Sequence, residues 1–149
     1  MSNKQSRIQK INPTYLIPQI AVALLIIFIL RMLNQPAYFL VGIAFYFLLA
    51  SYLKIIIPRS HRHGIRFVRK KKFEGAAFAF IASYAFFKKY AWLDKNRAYF
   101  LLSISAISYT EMALANAAYC LRVAGKNTEA KKFEDRLRSD YPNSLLLKR

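Results

Sequence analysis

The side chains able to do chemistry are few and scattered. His61 and His63 stand two apart in SHRHG, Cys120 is the single cysteine, and seven carboxylates serve the whole chain, none of them before Glu74. Two histidines lack the third ligand a zinc site needs, and the neighbouring Arg59, Arg62, Arg66 and Arg69 oppose a cation electrostatically. The segment therefore reads as solvated and facing lipid headgroups. Cys120 sits in an apolar helical stretch with no base near it in sequence, so it reads as a small buried apolar residue rather than a nucleophile. A lone cysteine forms no intramolecular disulfide, which agrees with a reducing compartment. Phosphate-loop, GxSxG, HExxH and dinucleotide-binding motifs are missing. The expectation is a non-enzymatic protein with no catalytic residues, no metal and no cofactor.

What the sequence concentrates instead is positive charge. Twenty-four Lys and Arg against 7 Asp and Glu give a net charge of +17. The segment from Arg59 to Lys72 holds seven of those cations, Arg59, Arg62, Arg66, Arg69, Lys70, Lys71 and Lys72. Such a run could meet nucleic acid or an anionic bilayer, and its place directly behind a long apolar stretch favours lipid headgroups and membrane topology. Positions 62, 66, 69 and 70 share a face of a helix starting near Ser60, a face that could lie along anionic headgroups. Fixing topology alone is the competing role for the run.

The apolar stretch that places these charges runs from Ala37 to Ile57 and carries one charged residue, Lys54. At about 1.5 Å per residue it is long enough to cross a hydrocarbon core of roughly 30 Å. A second apolar stretch, 14–33, precedes it with Arg31 as its only charge, entered through an Asn12 N-cap with Pro13 in the first turn. A secretory signal is opposed by the missing small-x-small cleavage site and by the closeness of the next span. Asn34, Gln35 and Pro36 leave room for only a tight turn, so residues 1–58 are expected to form a two-span antiparallel hairpin. The cation excess on the terminal side predicts both termini, and the domain at 59–149, to be cytoplasmic. Nothing inside the spans marks a transport path, so the hairpin reads as an anchor.

Beyond Pro58 the pattern is that of shorter helices. A basic helix is predicted over 64–72 and a buried one over 75–87, where Ala76, Ala77, Phe80, Ile81, Tyr84 and Phe87 keep three and four spacing; a re-entrant segment is the alternative for the latter. A helix capped by Asp94 is predicted to run to about Ser108, although Lys95 and Arg97 in its first turn oppose the helix dipole. Two further helices, 111–124 and 128–140, are joined by Gly125 as a left-handed cap and Thr128 as an N-cap, and the last stops before Pro142.

The stretch from Ala113 to Ser144 resembles one tetratricopeptide repeat, with Ala118, Leu121, Gly125, Ala130, Leu137 and Pro142 at the family's positions. A weaker match, Gly64, Phe67, Phe73, Ala76, Phe80 and Ser83, repeats the spacing from Ala118 to Ala130. The resemblance implies that the hairpin is followed by a small antiparallel helical domain like that repeat, with an irregular unit between its copies, so the chain as a whole is expected to be all-α. It further implies that Met112, Ala115, Tyr119, Arg122 and Val123 form the exposed stripe that would hold a protein partner; ordinary packing is the competing role. Two functions follow: a membrane-anchored scaffold presenting that helical surface to a soluble protein segment, or an accessory subunit packed on a larger integral membrane enzyme or transporter.

Overall fold

The computed structural model describes residues 13–103 and 105–147, and those residues are all-α. The expected Asn12 cap lies outside them. A 3-10 turn, Pro13–Tyr15, leads into α1 (Leu16–Met32), which turns back through residues 33–37 into α2 (Tyr38–Ile56). The two helices pack side by side, and Gly42 lets them approach so closely that a Cβ there would sit 2.7 Å from the Ile27 side chain. By length and composition α2 can cross a membrane, whereas α1, apolar but for Gln19 and Arg31, is shorter at 17 residues.

Past Pro58 the chain forms α3 (Arg59–Arg69), α4 (Phe73–Lys89), the short α5 (Ala91–Lys95) and α6 (Arg97–Phe100), then α7 (Tyr109–Val123) and α8 (Asn127–Asp140). Helices α3, α4, α7 and α8 alternate in direction, and each packs on the next, with the most extensive contact between α4 and α7. Their shared core joins Ala76, Ala77 and Phe80 of α4 to Ala117, Cys120 and Leu121 of α7 and Ala130 of α8. Small residues set the helix separations: a Cβ on Gly64 would meet the Phe80 ring at 2.7 Å. The expected burial of 75–87 is what α4 shows, since Ala76, Ala77, Phe80, Ser83, Tyr84 and Phe87 all face the domain core.

The ends of the helices explain where the expected boundaries shift. Three helices close with the same pair of backbone bonds, a carbonyl three residues back bonding the left-handed residue and one five back bonding the next: Asn34 after α1, Lys71 after α3 and Gly125 after α7. Gly125, at φ +80°, is the expected left-handed cap. Lys71, at φ 56°, makes α3 stop before the end of the predicted 64–72 helix, and α3 also starts earlier, at Arg59 directly after Pro58. Lys126 donates its N–H back to Leu121, and α8 then begins directly at Asn127 with no side-chain cap, so Thr128 is inside the helix rather than capping it. The expected stop before Pro142 holds.

The largest departure is the predicted helix from Asp94 to about Ser108. It breaks into α5, α6 and an irregular segment that returns to α7. Arg97 is the reason. Its buried guanidinium takes carbonyls from Ser105 and Ala106 as well as from Asp94, and a chain continuing as a helix could not turn those two carbonyls back toward it. Ser103, Ser105 and Ser108 favour the break, because their hydroxyls compete for backbone groups. Ser105 bonds the carbonyl of Ile107, and Ser108 caps α7 by accepting the N–H of Glu111.

Candidate functional site

Three buried polar side chains, His61, Asp94 and Arg97, meet where α3, α4, α5, α6 and the start of α7 converge. Asp94 accepts the N–H of Tyr109 at 2.8 Å through Oδ1, and the N–H and hydroxyl of Thr110 at 2.8 and 2.6 Å through Oδ2. The carboxylate thus satisfies donors that a helix start otherwise leaves unpaired, and its negative charge suits the positive end of the α7 dipole. Arg97, one turn further along, ties the segment beneath it through Nε to Ser105 at 3.0 Å, Nη1 to Asp94 at 3.0 Å and Nη2 to Ala106 at 2.9 Å.

His61 stands beside this pair, 5% exposed, which corrects the solvated reading of SHRHG; only His63 is exposed. Its ring meets Phe80 and Tyr109 edge-on at 5.2 and 5.6 Å, and Nδ1 lies 3.5 Å from Ser83 Oγ. Burial pushes its pKa down to about 4, against the opposing pull of Asp94, so the ring is neutral at pH 7. Burial likewise raises the Tyr109 hydroxyl, and raises the Cys120 thiol to about 11.

A serine, a histidine and an aspartate so close together invite a hydrolytic reading, and the geometry points elsewhere. Asp94 is occupied by the α7 N-terminus instead of orienting the imidazole, Ser83 is 1% exposed, and the contact between Ser83 and His61 is long for an activated nucleophile. What the arrangement does is fix how α5, α6 and α7 join the base of the domain. Among the described residues no group of three or more His, Cys, Asp or Glu side chains could hold a metal ion.

The residues named for partner binding share one stripe of α7, but that stripe is not an open face. Met112, Ala115 and Tyr119 are half-buried; Ala115 packs on the cluster around Tyr84, Leu114 and Leu137, and the Tyr119 ring meets Phe73 at 6.4 Å. Arg122 and Val123 are exposed, and Arg122 pairs with Glu134 of α8.

The basic run is divided between the two ends of the domain. Arg59 follows Pro58 directly, and Arg62, half-buried, donates to the Lys54 carbonyl of α2 at 3.4 Å. Lys70, Lys71 and Lys72 fall at the far end of α3, where Lys126 reaches Glu74 at 3.1 Å, and all three lie beyond the helix's last residue, Arg69, so Lys70 drops out of the expected face. Residues 62, 66 and 69 remain on one helix.

The buried Asp94 and Arg97 went unforeseen as a unit. Their one sequence signal was a pair of basic residues in what should have been an acidic first turn, a conflict that marked the segment without showing how it resolves. Comparison with known family models, curated proteins and solved structures gives no match to this chain.

Proposed function

We propose that this protein is a membrane-anchored, non-enzymatic scaffold, in which α1 and α2 form a two-span hairpin and the domain from α3 to α8 presents a helical surface, like that of tetratricopeptide repeats, to another protein in the cytoplasm. One observation carries the anchor: of the 25 large apolar side chains exposed among the described residues, 18 lie between Leu16 and Ile56. Apolar area of that extent on two helices suits hydrocarbon and not water. The repeat-like reading is supported by the order in which α3, α4, α7 and α8 pack as antiparallel neighbours, and by buried small residues at Gly64, Ala76, Ala118 and Ala130.

Orientation is tested by single cysteines in intact cells. A cysteine at Gln35, on the turn between the spans, should react with an impermeant thiol reagent, and one at Ser139, exposed on α8, should not. Ser139 serves better than Ser144, which is buried and bonded to Glu111. The reverse pattern would overturn the cytoplasmic placement. Co-purification from native membranes tests the partner: a soluble protein lost on disrupting Arg122 and Val123 supports the scaffold, whereas an integral complex held by the hairpin alone would replace it with the accessory-subunit role.

A further inference from the structure

Among the described residues, the seven exposed large apolar side chains outside the hairpin are not spread over the domain. Six are aromatic, and five of those, Phe86, Tyr90, Trp92, Tyr99 and Phe100, belong to the end of α4 and to α5 and α6. Four of them form two contacting pairs, Phe86 with Tyr90 at 5.0 Å and Trp92 with Phe100 at 5.1 Å. With Trp92 at 55%, Tyr99 at 57% and Phe100 at 48% exposure, the patch leaves on the order of several hundred Å² of aromatic surface uncovered, the scale at which a surface has an occupant.

Two contacts locate this patch relative to the hairpin. Ile57, at the end of α2, packs on the cluster of Phe87, Leu93 and Leu101, and Gln19, near the start of α1, donates to the carbonyl of Leu102 at 3.1 Å. Both helices therefore meet the layer of α5 and α6 at the same end of the hairpin. Since α2 is about 28 Å long, close to the thickness of a hydrocarbon core, a layer seated at its end is level with the lipid headgroups. Tyr and Trp are enriched at that level, with the ring in the apolar boundary and the polar atom in the wet zone. Exposed Lys88, Lys89 and Lys95 border the patch, with Lys89 Nζ 5.6 Å from the Tyr90 ring, and supply cations for lipid phosphates.

Resting on the membrane-anchor reading above, we infer that the aromatic shelf of α5, α6 and the end of α4 is a second membrane-binding surface, seated in the headgroup zone of a phospholipid bilayer beside the spans. The consequence is a domain held at a fixed attitude to the membrane. The buried contacts of Asp94 and Arg97 make the shelf rigid, and the Lys70 to Lys72 end points away from the shelf.

Trp92 is the only tryptophan in the chain, so the native protein reports on its own shelf. The full-length chain is reconstituted into vesicles of phosphatidylcholine with a minority of phosphatidylglycerol, carrying bromine on the acyl chain either next to the headgroup or next to the terminal methyl. Trp92 emission should lose roughly half its intensity with the shallow label and clearly less with the deep one. A tryptophan at Val123 in the Trp92→Phe background, on the far end of α7, should lose almost none. If the chain resists alkaline extraction from the vesicles but Trp92 emits as in water and neither label quenches it, the shelf inference falls and the anchor stands. Stronger quenching by the deep label would also overturn it, replacing the shelf with a segment inserted in hydrocarbon. Release of the chain by alkali would overturn both readings together.

Discussion

Helices α1 and α7 are of similar length, 17 and 15 residues, and dispose of their apolar side chains in opposite ways. Helix α1 buries a single residue, Pro18, and turns leucine, isoleucine and phenylalanine outward, while α7 buries seven residues and exposes charge at its end. Helices α2 and α4 repeat the contrast: α2 buries Gly42 and Ala50, α4 buries six side chains from Ala76 to Phe87. The difference teaches that the two regions are built for different surroundings. In the hairpin only the small residues at the crossing are inside, and the apolar mass faces out. In the domain the apolar mass is inside, and the polar groups buried around Asp94 and Arg97 are bonded, where an unpaired polar group would cost about 1–3 kcal/mol; the buried Tyr84 hydroxyl, with no hydrogen-bond partner, is the exception among the described residues.

The sharpest way to break that contrast is to remove the bonded carboxylate. Asp94→Ala leaves the N–H groups of Tyr109 and Thr110 and the Thr110 hydroxyl without their charged acceptor, and should destabilise the domain by about 3–5 kcal/mol. Asp135→Ala, on the exposed face of α8, should change stability by no more than about 0.5 kcal/mol. Denaturant unfolding of the full chain in detergent, followed by ellipticity, compares the two.

A lysine placed on the outer face of the hairpin tests the other side of the comparison. Leu48 is 70% exposed near the middle of α2, so Leu48→Lys would be nearly silent if water surrounded it. In a bilayer it should cost about 3 kcal/mol of insertion, visible as a fall in the membrane-integrated fraction of newly made chain. Unchanged integration would remove the second environment from the account.

Next in size is the response to acid. The folded-state pKa of His61 is lowered from 6.5 to about 4, so between those values the unfolded chain takes up a proton that the folded one refuses. Stability is therefore full above about pH 6.5 and falls as pH drops toward 4, by a total of about 3 kcal/mol. Melting of the full chain across that window should show the fall, and His61→Asn should flatten it. A profile the same in both proteins would mean that His61 is protonated without cost.

The smallest expected effect concerns close packing. Gly64→Ala brings a Cβ to 2.7 Å from the Phe80 ring, which is 1% exposed and has no room to retreat. Overpacking of about 1–3 kcal/mol should outweigh the roughly 1 kcal/mol that alanine gains in helix propensity, leaving a net loss near 1 kcal/mol in a denaturant series. A net gain would show that α3 slides freely over α4.

Much of this was legible in the residues. Periodicity at Ala76, Phe80, Tyr84 and Phe87 is a local property, and it located the buried face of α4 because a helix repeats its face every three or four residues wherever it packs. Gly125 was likewise readable, since glycine adopts a positive φ without a steric penalty. Asn34, a residue that tolerates positive φ, falls in the tight turn expected at 34–36, whereas Lys71 carried no such mark, because there the backbone geometry is imposed on a residue that does not prefer it.

By itself, then, the sequence determined the helical class, the long apolar stretches, the side on which cations gather and the small residues at helix crossings; each follows from composition or from neighbours within a turn or two. The tertiary structure alone decided that Asp94 holds the start of α7 rather than opening a helix of its own, that Arg97 draws the Ser105 and Ala106 carbonyls back toward it, that His61 is buried and neutral, and that five aromatic side chains gather where the hairpin ends. Those outcomes depend on partners many residues away along the chain, and a buried polar group is stable only once such partners have arrived.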